Sequence, residues 1–137
     1  VFKVVEGLRS IELGMPGESR RKLVDAVVNG NKRATAGLLS EYEFEGEQLE
    51  TVGEREAILD NTGEAVAIVE ITKVEVLPFS KVPDEFALAE AEGDLNAEDF
   101  RESHLKFWTA AGEVISDATP VVTLYFDVVE IRERNIK

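Results

Sequence analysis

Lys32 and Thr35 stand three residues apart in Gly30-Asn31-Lys32-Arg33-Ala34-Thr35, where a helical pattern ends at a glycine and an extended one begins. Across such a change of direction an ammonium and a hydroxyl can converge on one cleft. The first contacts an electron-rich group; the second donates, accepts or attacks. By spacing alone the pair reads equally as a surface lysine beside a strand threonine. Glu90, Glu92 and Asp94 form a second group, three carboxylates between positions 90 and 94. At the C-terminal end of a helix, acids oppose the helix dipole at a cost of about 0.3–1 kcal/mol each. A functional site would account for that cost, and so would crowding in an acid-rich chain. The third place is His104, the sole histidine, on a stripe with Phe100, Phe107 and Trp108. Such a stripe is either a core and pocket wall with a hydrogen-bonded imidazole, or a set of rings on which a planar base stacks. No His-x-x-His pair, cysteine or compact carboxylate pattern accompanies His104, so no metal is expected. A P-loop, a G-x-S-x-G elbow and a dinucleotide fingerprint are all missing, which removes the NTPase, α/β-hydrolase and dehydrogenase classes.

The elements that must position these residues follow from periodicity. Leu23, Val24, Val27 and Val28 make one apolar side of a helix between Pro16 and Gly30, both suitably placed to punctuate it. An extended stretch follows, and the polar, Gly-punctuated segment from Tyr42 to Glu54 reads as a loop. Apolar runs over 56–59 and 65–77 flank Asp60-Asn61-Thr62-Gly63, a hairpin turn signal. A short helix is expected from Asp84 to Glu92, ended by Gly93. Asn96 with Asp99 three residues on starts the aromatic helix, which Gly112 stops. The β-branched and aromatic run from Val121 to Ile131 reads as a central, buried strand. Helix, strand, hairpin, two helices and strand in that order describe an α+β domain around a small, strongly curved sheet or barrel.

The chain has 137 residues, 28 Asp+Glu against 15 Lys+Arg, no cysteine and a formal charge of −13. That length describes one domain, 1–137. Without cysteine there is no disulfide scaffold, thiolate metal site or Cys nucleophile, and the expected compartment is cytoplasmic. No apolar run reaches the roughly 18 residues that span a bilayer. The start, Val1-Phe2-Lys3-Val4-Val5-Glu6, has no long apolar region of a signal peptide. The charge is uneven: residues 1–40 are net +3 and residues 41–113 net −15. The acid disfavours long polyanions and membranes, while the lip of Arg20, Arg21, Lys22, Lys32 and Arg33 leaves room for a weak RNA contact.

Taken in order, these residues resemble a family. Gly30-x-Lys32-x-x-Thr35, the Val52-Gly53-Glu54 turn, the strand from Val66 to Pro78, Glu90-x-Glu92-Gly93-Asp94 and His104-x-x-Phe107-Trp108 together look like an ASCH-domain protein over roughly residues 12–131. The resemblance implies a PUA-like fold, a mixed β-barrel with flanking helices, and a cleft containing the Gly-x-Lys-x-x-Thr segment. It implies three functional readings. One branch of the family consists of amidohydrolases that remove the acyl group from N4-acetylcytidine and related pyrimidines with a Lys, a Thr and a Glu. Other members are associated with RNA binding or metal-dependent cleavage of single strands. A regulatory domain that binds a nucleoside-like ligand without turnover is the third reading. Carried over by motif, the catalytic set is Lys32, Thr35 and Glu92, with Glu90 the adjacent register and Glu70 a candidate to orient the set. Thr35 would attack the amide carbonyl. Lys32 would serve as its base, a role that burial or a cationic neighbour such as Arg33 promotes in lysines generally. Arg33, Glu90, His104, Phe107 and Trp108 would contact the substrate, and the device calls for no cofactor. A small nucleoside-like ligand carries no phosphate, so it suits an acidic protein better than RNA does.

Overall fold

The computed structural model describes residues 3–132. Residues 1, 2 and 133–137, which belong to the expected single domain and to its apolar start, lie outside the described residues. The elements run β1 (Val4–Val5), β2 (Leu8–Glu12), α1 (Glu18–Val28), β3 (Ala34–Leu38), α2 (Leu39–Glu45), β4 (Arg55–Leu59), β5 (Ala65–Pro78), a 3-10 turn (Phe79–Lys81), α3 (Asp84–Glu90), α4 (Ala97–Ala110) and β6 (Pro120–Ile131). The strands form one mixed sheet in the order β1-β2-β4-β5-β6-β3, in which β2 and β4 run parallel and the other pairs antiparallel.

The long strands β5 and β6 organise the molecule. Val122, Leu124 and Phe126 join Val69 and Ile71 of β5 and Val24 and Val27 of α1 in one core. Val121 and Tyr125, of the other parity, belong to a second core with Phe79, Phe86, Phe100 and Trp108 under α3 and α4. Alternation along β6 thus feeds two apolar layers, which is why that strand lacks a polar face. Each fully buried side chain of this kind contributes roughly 1.5–3 kcal/mol. Register shifts at Ile68/Val69 and Ile71/Lys73 bend the β5–β6 pair. The bend curls the sheet until β2 and β3 face each other across a cavity, lined on one side by Ser10, Ile11 and Glu12 and on the other by Thr35, Ala36 and Gly37. The expected barrel is therefore open between β2 and β3.

Three expectations about the elements need correction. The segment read as loop from Tyr42 begins with a helix, α2, in which Leu39 and Tyr42 pack on the first core and Gly46, at φ 69°, ends the turn. Two short N-terminal strands precede α1; β2 pairs with β4, across a sequence separation that local patterning does not reveal. Helix α3 stops at Glu90 rather than Glu92, with Ala91 in the left-handed region at φ 52°. No helix among the described residues is long and apolar enough to cross a membrane.

Beneath β4 lies an acidic cluster. Tyr42 donates to Glu50 Oε1 at 2.9 Å, and Arg9 Nε is 2.8 Å from Glu54 Oε2 and 3.6 Å from Glu56 Oε2. Glu56 is 1% exposed. Burial first, then the charge and hydrogen bond of Glu50, push the Glu56 carboxyl up to about 9. The folded state thus holds a proton that the unfolded chain releases, so this group's contribution to stability is full below the ordinary carboxylate range and is lost as pH rises toward 9. The slope approaches about 1.4 kcal/mol per pH unit. Glu56→Gln, neutral at every pH, is expected to flatten the decline in urea midpoint between about pH 5 and 9 relative to the parent. Parallel declines in the two proteins would contradict the assignment.

Candidate functional site

The reversal after α1 sets the position of Lys32. Asn29 caps the helix, Gly30 turns the chain at φ 87°, and the Lys32 N–H donates back to Ala26 O at 2.9 Å. The next N–H, of Arg33, donates to Ala89 O at 2.7 Å, and Arg33 O accepts from Phe126 N–H at 3.1 Å. The segment is therefore held between the end of α3 and β6. With alternate residues pointing to opposite sides, Lys32 and Ala34 go inward and are buried, while Arg33 goes outward and is exposed.

Lys32 is fully buried. Its Nζ donates to Glu92 Oε2 at 2.5 Å and to Glu90 O at 3.2 Å. A buried ammonium needs such a partner, because an unpaired charge in this environment costs several kcal/mol. The left-handed Ala91 makes the geometry possible. It separates Glu90, whose side chain turns inward at 1% exposure, from Glu92, which folds over Lys32 with its side chain 24% exposed. A non-glycine residue in this conformation carries roughly 1 kcal/mol of strain, retained here at the turn that sorts the two carboxylates.

Glu92 forms part of the wall of a cleft of about 320 Å³, within the range of small-molecule sites. The cleft lies at the open side of the sheet. Glu12, Leu13 and Gly14 line it from the end of β2, Thr35, Ala36 and Gly37 from β3, and Ser103, His104, Phe107 and Trp108 from α4; Glu41 and Glu90 also contribute. Thr35, paired with Leu124 on β6, is half-buried in this wall. At Gly14, φ 55°, a Cβ would stand 2.8 Å from Ser19 Oγ and 2.9 Å from Leu23 Cδ1, so β2 meets α1 too closely for a side chain.

The aromatic stripe of α4 divides by depth. Phe100 is core, and its ring stacks on His104 at 3.9 Å between centroids. His104 and Trp108 are buried walls of the cleft, whereas Phe107, 42% exposed, stands at its rim. His104 Nδ1 lies 3.0 Å from Phe100 O, and since a carbonyl only accepts, Nδ1 carries the hydrogen. Nε2 lies 3.3 Å from Glu90 Oε1. Burial works against a charged His104, but the Glu90 and Glu92 carboxylates outweigh it and raise the imidazole above its ordinary range. Burial raises the Glu90 carboxyl, opposed by His104 and Lys32.

The structure thus brings Thr35, Glu90, Glu92, His104, Phe107 and Trp108 to one cleft, with Lys32 directly beneath Glu92. It does not bring Arg33 or Glu70 there. Arg33 lines a separate cavity with Glu85, Tyr125 and Asp127, a consequence of strand alternation. Glu70 sits across from Arg55 on β4 and pairs with it at 3.3 Å. The neighbours of the Lys32 ammonium are therefore acidic rather than cationic. Sequence reasoning missed Glu12, Gly14 and Glu41. The glycine immediately upstream of Met15-Pro16 was the one local signal for a tight approach there.

A curled mixed sheet flanked by helices, with a cleft at its open side, defines the PUA-like α+β class. The sequence matches the ASCH domain family over residues 10–130, and the chain belongs to that family. Protein EF3133 from Enterococcus faecalis V583 is 32% identical, with 88% of this chain and 75% of that one covered at a TM-score of 0.77. An ASCH domain from Lactobacillus crispatus JV V101 is 26% identical over 90% of this chain and 82% of that one, TM-score 0.76. A mutant ZmASCH protein from Zymomonas mobilis is 8% identical, covering 82% and 66% of the two chains at a TM-score of 0.54, a likeness of fold alone. A comparison with curated proteins finds no match.

Removing the two partners of the buried pair should have unequal effects. Glu92→Ala leaves the buried ammonium without a counter-charge, on the Glu90 carbonyl alone, and is expected to destabilise by roughly 3 kcal/mol. Lys32→Met fills the site with an apolar chain and leaves a carboxylate that water reaches, so a loss below about 1.5 kcal/mol is expected. Urea unfolding of both variants tests the order, and a reversed order would contradict the burial argument.

Proposed function

We propose that this protein is an amidohydrolase that removes the acyl group from N4-acylated cytosines and cytidines, with Lys32, Thr35 and Glu92 as its working set. The observation that carries the reading is the 2.5 Å Lys32–Glu92 contact in the wall of a cleft that also contains Thr35. Lys32 lies below the surface of the cleft, so Glu92 is the member of the pair that meets the substrate. Thr35 Oγ1 attacks the exocyclic amide carbonyl and its proton passes to the Glu92–Lys32 pair. The proton then goes to the exocyclic nitrogen as the C–N bond breaks, releasing the cytosine and leaving the acyl group as an ester on Thr35. Water hydrolyses the ester and restores the hydroxyl. Phe107, exposed at the rim, supplies a ring face for the base.

Charge favours a neutral ligand over a polymer. Glu12, Glu41, Glu90 and Glu92 line the cleft, and no lysine or arginine is among its lining residues. The basic lip is largely neutralised: Arg20 pairs with Glu12, Arg21 with Glu18 and Lys32 with Glu92. A phosphate meets repulsion at such a surface, and a nucleoside meets none.

Incubation with N4-acetylcytidine is expected to yield cytidine, with the 5′-monophosphate at least about tenfold slower because of its charge. Thr35→Ala and Glu92→Ala should lower the rate by about 10² or more, and Thr35→Ser should restore part of it. Absence of cytidine, or an unchanged rate in Thr35→Ala, sinks the proposal. A salt-sensitive gel shift with single-stranded RNA would favour the polymer instead.

A further inference from the structure

Behind Glu92 the cleft wall contains a group that takes no part in the acyl transfer itself. One ligating atom each from Glu90, Asp94 and His104 lie within 4.8 Å of one another. Glu90, 1% exposed, aims Oε1 into this group, where its one neighbouring partner is His104 Nε2 at 3.3 Å, outside good hydrogen-bond geometry. Because Nδ1 carries its hydrogen to Phe100 O, the Nε2 of a neutral imidazole presents a lone pair to the lone pairs of the carboxylate. Two such acceptors in a buried wall are held together by something electropositive, a proton on Nε2 or a metal ion, and a third ligating group, Asp94, stands beside them.

We propose that Glu90, Asp94 and His104 bind one divalent transition-metal ion, Zn²⁺ in the first place. Two donors at Zn distances of about 2.0–2.1 Å, subtending a tetrahedral angle, stand about 3.4 Å apart. The 3.3 Å between Nε2 and Oε1 matches that span. The supporting contacts are those a metal site needs. The Phe100 carbonyl fixes the ring orientation and tautomer of His104, and Ser103 Oγ lies 3.1 Å from both Asp94 oxygens, holding that carboxylate. Two carboxylates balance the charge of the ion. His104 and Glu90 line the cleft, so the fourth position opens toward it and takes water or a carbonyl oxygen of a bound ligand. The ligands fall at positions 90, 94 and 104, with one on α3, one on a turn and one on α4; no local metal motif marks them. The site does not depend on the amidohydrolase reading, and its tests need no turnover.

The sole histidine makes the experiment direct. Untagged protein with ¹⁵N-labelled histidine is titrated with ZnCl₂ and, in parallel, with CoCl₂. Expected are a 1:1 saturable shift of the Nε2 resonance with Nδ1–H retained, and visible absorption of the tetrahedral Co²⁺ type. Asp94→Asn, at a half-buried turn position and checked for native circular dichroism, should bind at least tenfold more weakly by chelator competition, as should Glu90→Gln. An Nε2 resonance unmoved by excess Zn²⁺, or undiminished binding in Asp94→Asn, overturns the proposal and leaves a proton between His104 and Glu90. Metal binding without deacylation would retain this site and defeat only the amidohydrolase; deacylation that persists with chelator, together with an unmoved resonance, would do the reverse.

Discussion

A lysine ammonium with no exposure to water is the constraint around which the cleft is arranged. Lys32 is inward because its segment is held by backbone hydrogen bonds between α1, α3 and β6, and its charge then requires an acceptor. Glu92 and the Glu90 carbonyl supply it. The demand runs in both directions: the last carbonyls of α3 lack partners within the helix, and the Arg33 N–H and the Lys32 ammonium satisfy Ala89 and Glu90. One interaction therefore ends a helix, reverses the chain at Ala91, and places one carboxylate over the ammonium and another against His104.

The sheet supplies the other half of the cleft. Bending of the β5–β6 pair brings β2 and the edge strand β3 opposite each other without joining them, and Thr35 projects from β3 at the gap. A closed barrel would pair the other edge of β3 as well and shut the gap beside Thr35. An open one leaves its hydroxyl on the wall shared with Glu92, between two apolar layers that hold the geometry rigid.

Much of this is legible in sequence, for identifiable reasons. β6, the hairpin around Asp60-Asn61-Thr62-Gly63 and α4 with its Asn96 cap are local patterns, and their spacing survives in the fold. Lys32, Thr35 and Glu92 are legible because their motifs lie in the right order. What is hidden depends on distant partners. Ala and Glu favour continuing α3 to position 92, but donors from residues 32 and 33 stop it at Glu90. β2, Leu-Arg-Ser-Ile-Glu, lacks an apolar run and is fixed as a strand by pairing with β4, which lies far along the chain. Arg33, just before β3, and Glu70, on β5, are the right chemical types turned away from the cleft, which proximity along the chain conceals.

In the proposed deacylation, Thr35 is the group that takes the acyl chain. The most direct test is mass spectrometry of protein quenched during turnover of N4-acetylcytidine, followed by proteolytic mapping. The account predicts one acetyl group on the peptide that contains Thr35, absent from Thr35→Ala. Release of cytidine with no acetyl on that peptide, at a rate that Thr35→Ala leaves unchanged, would contradict it.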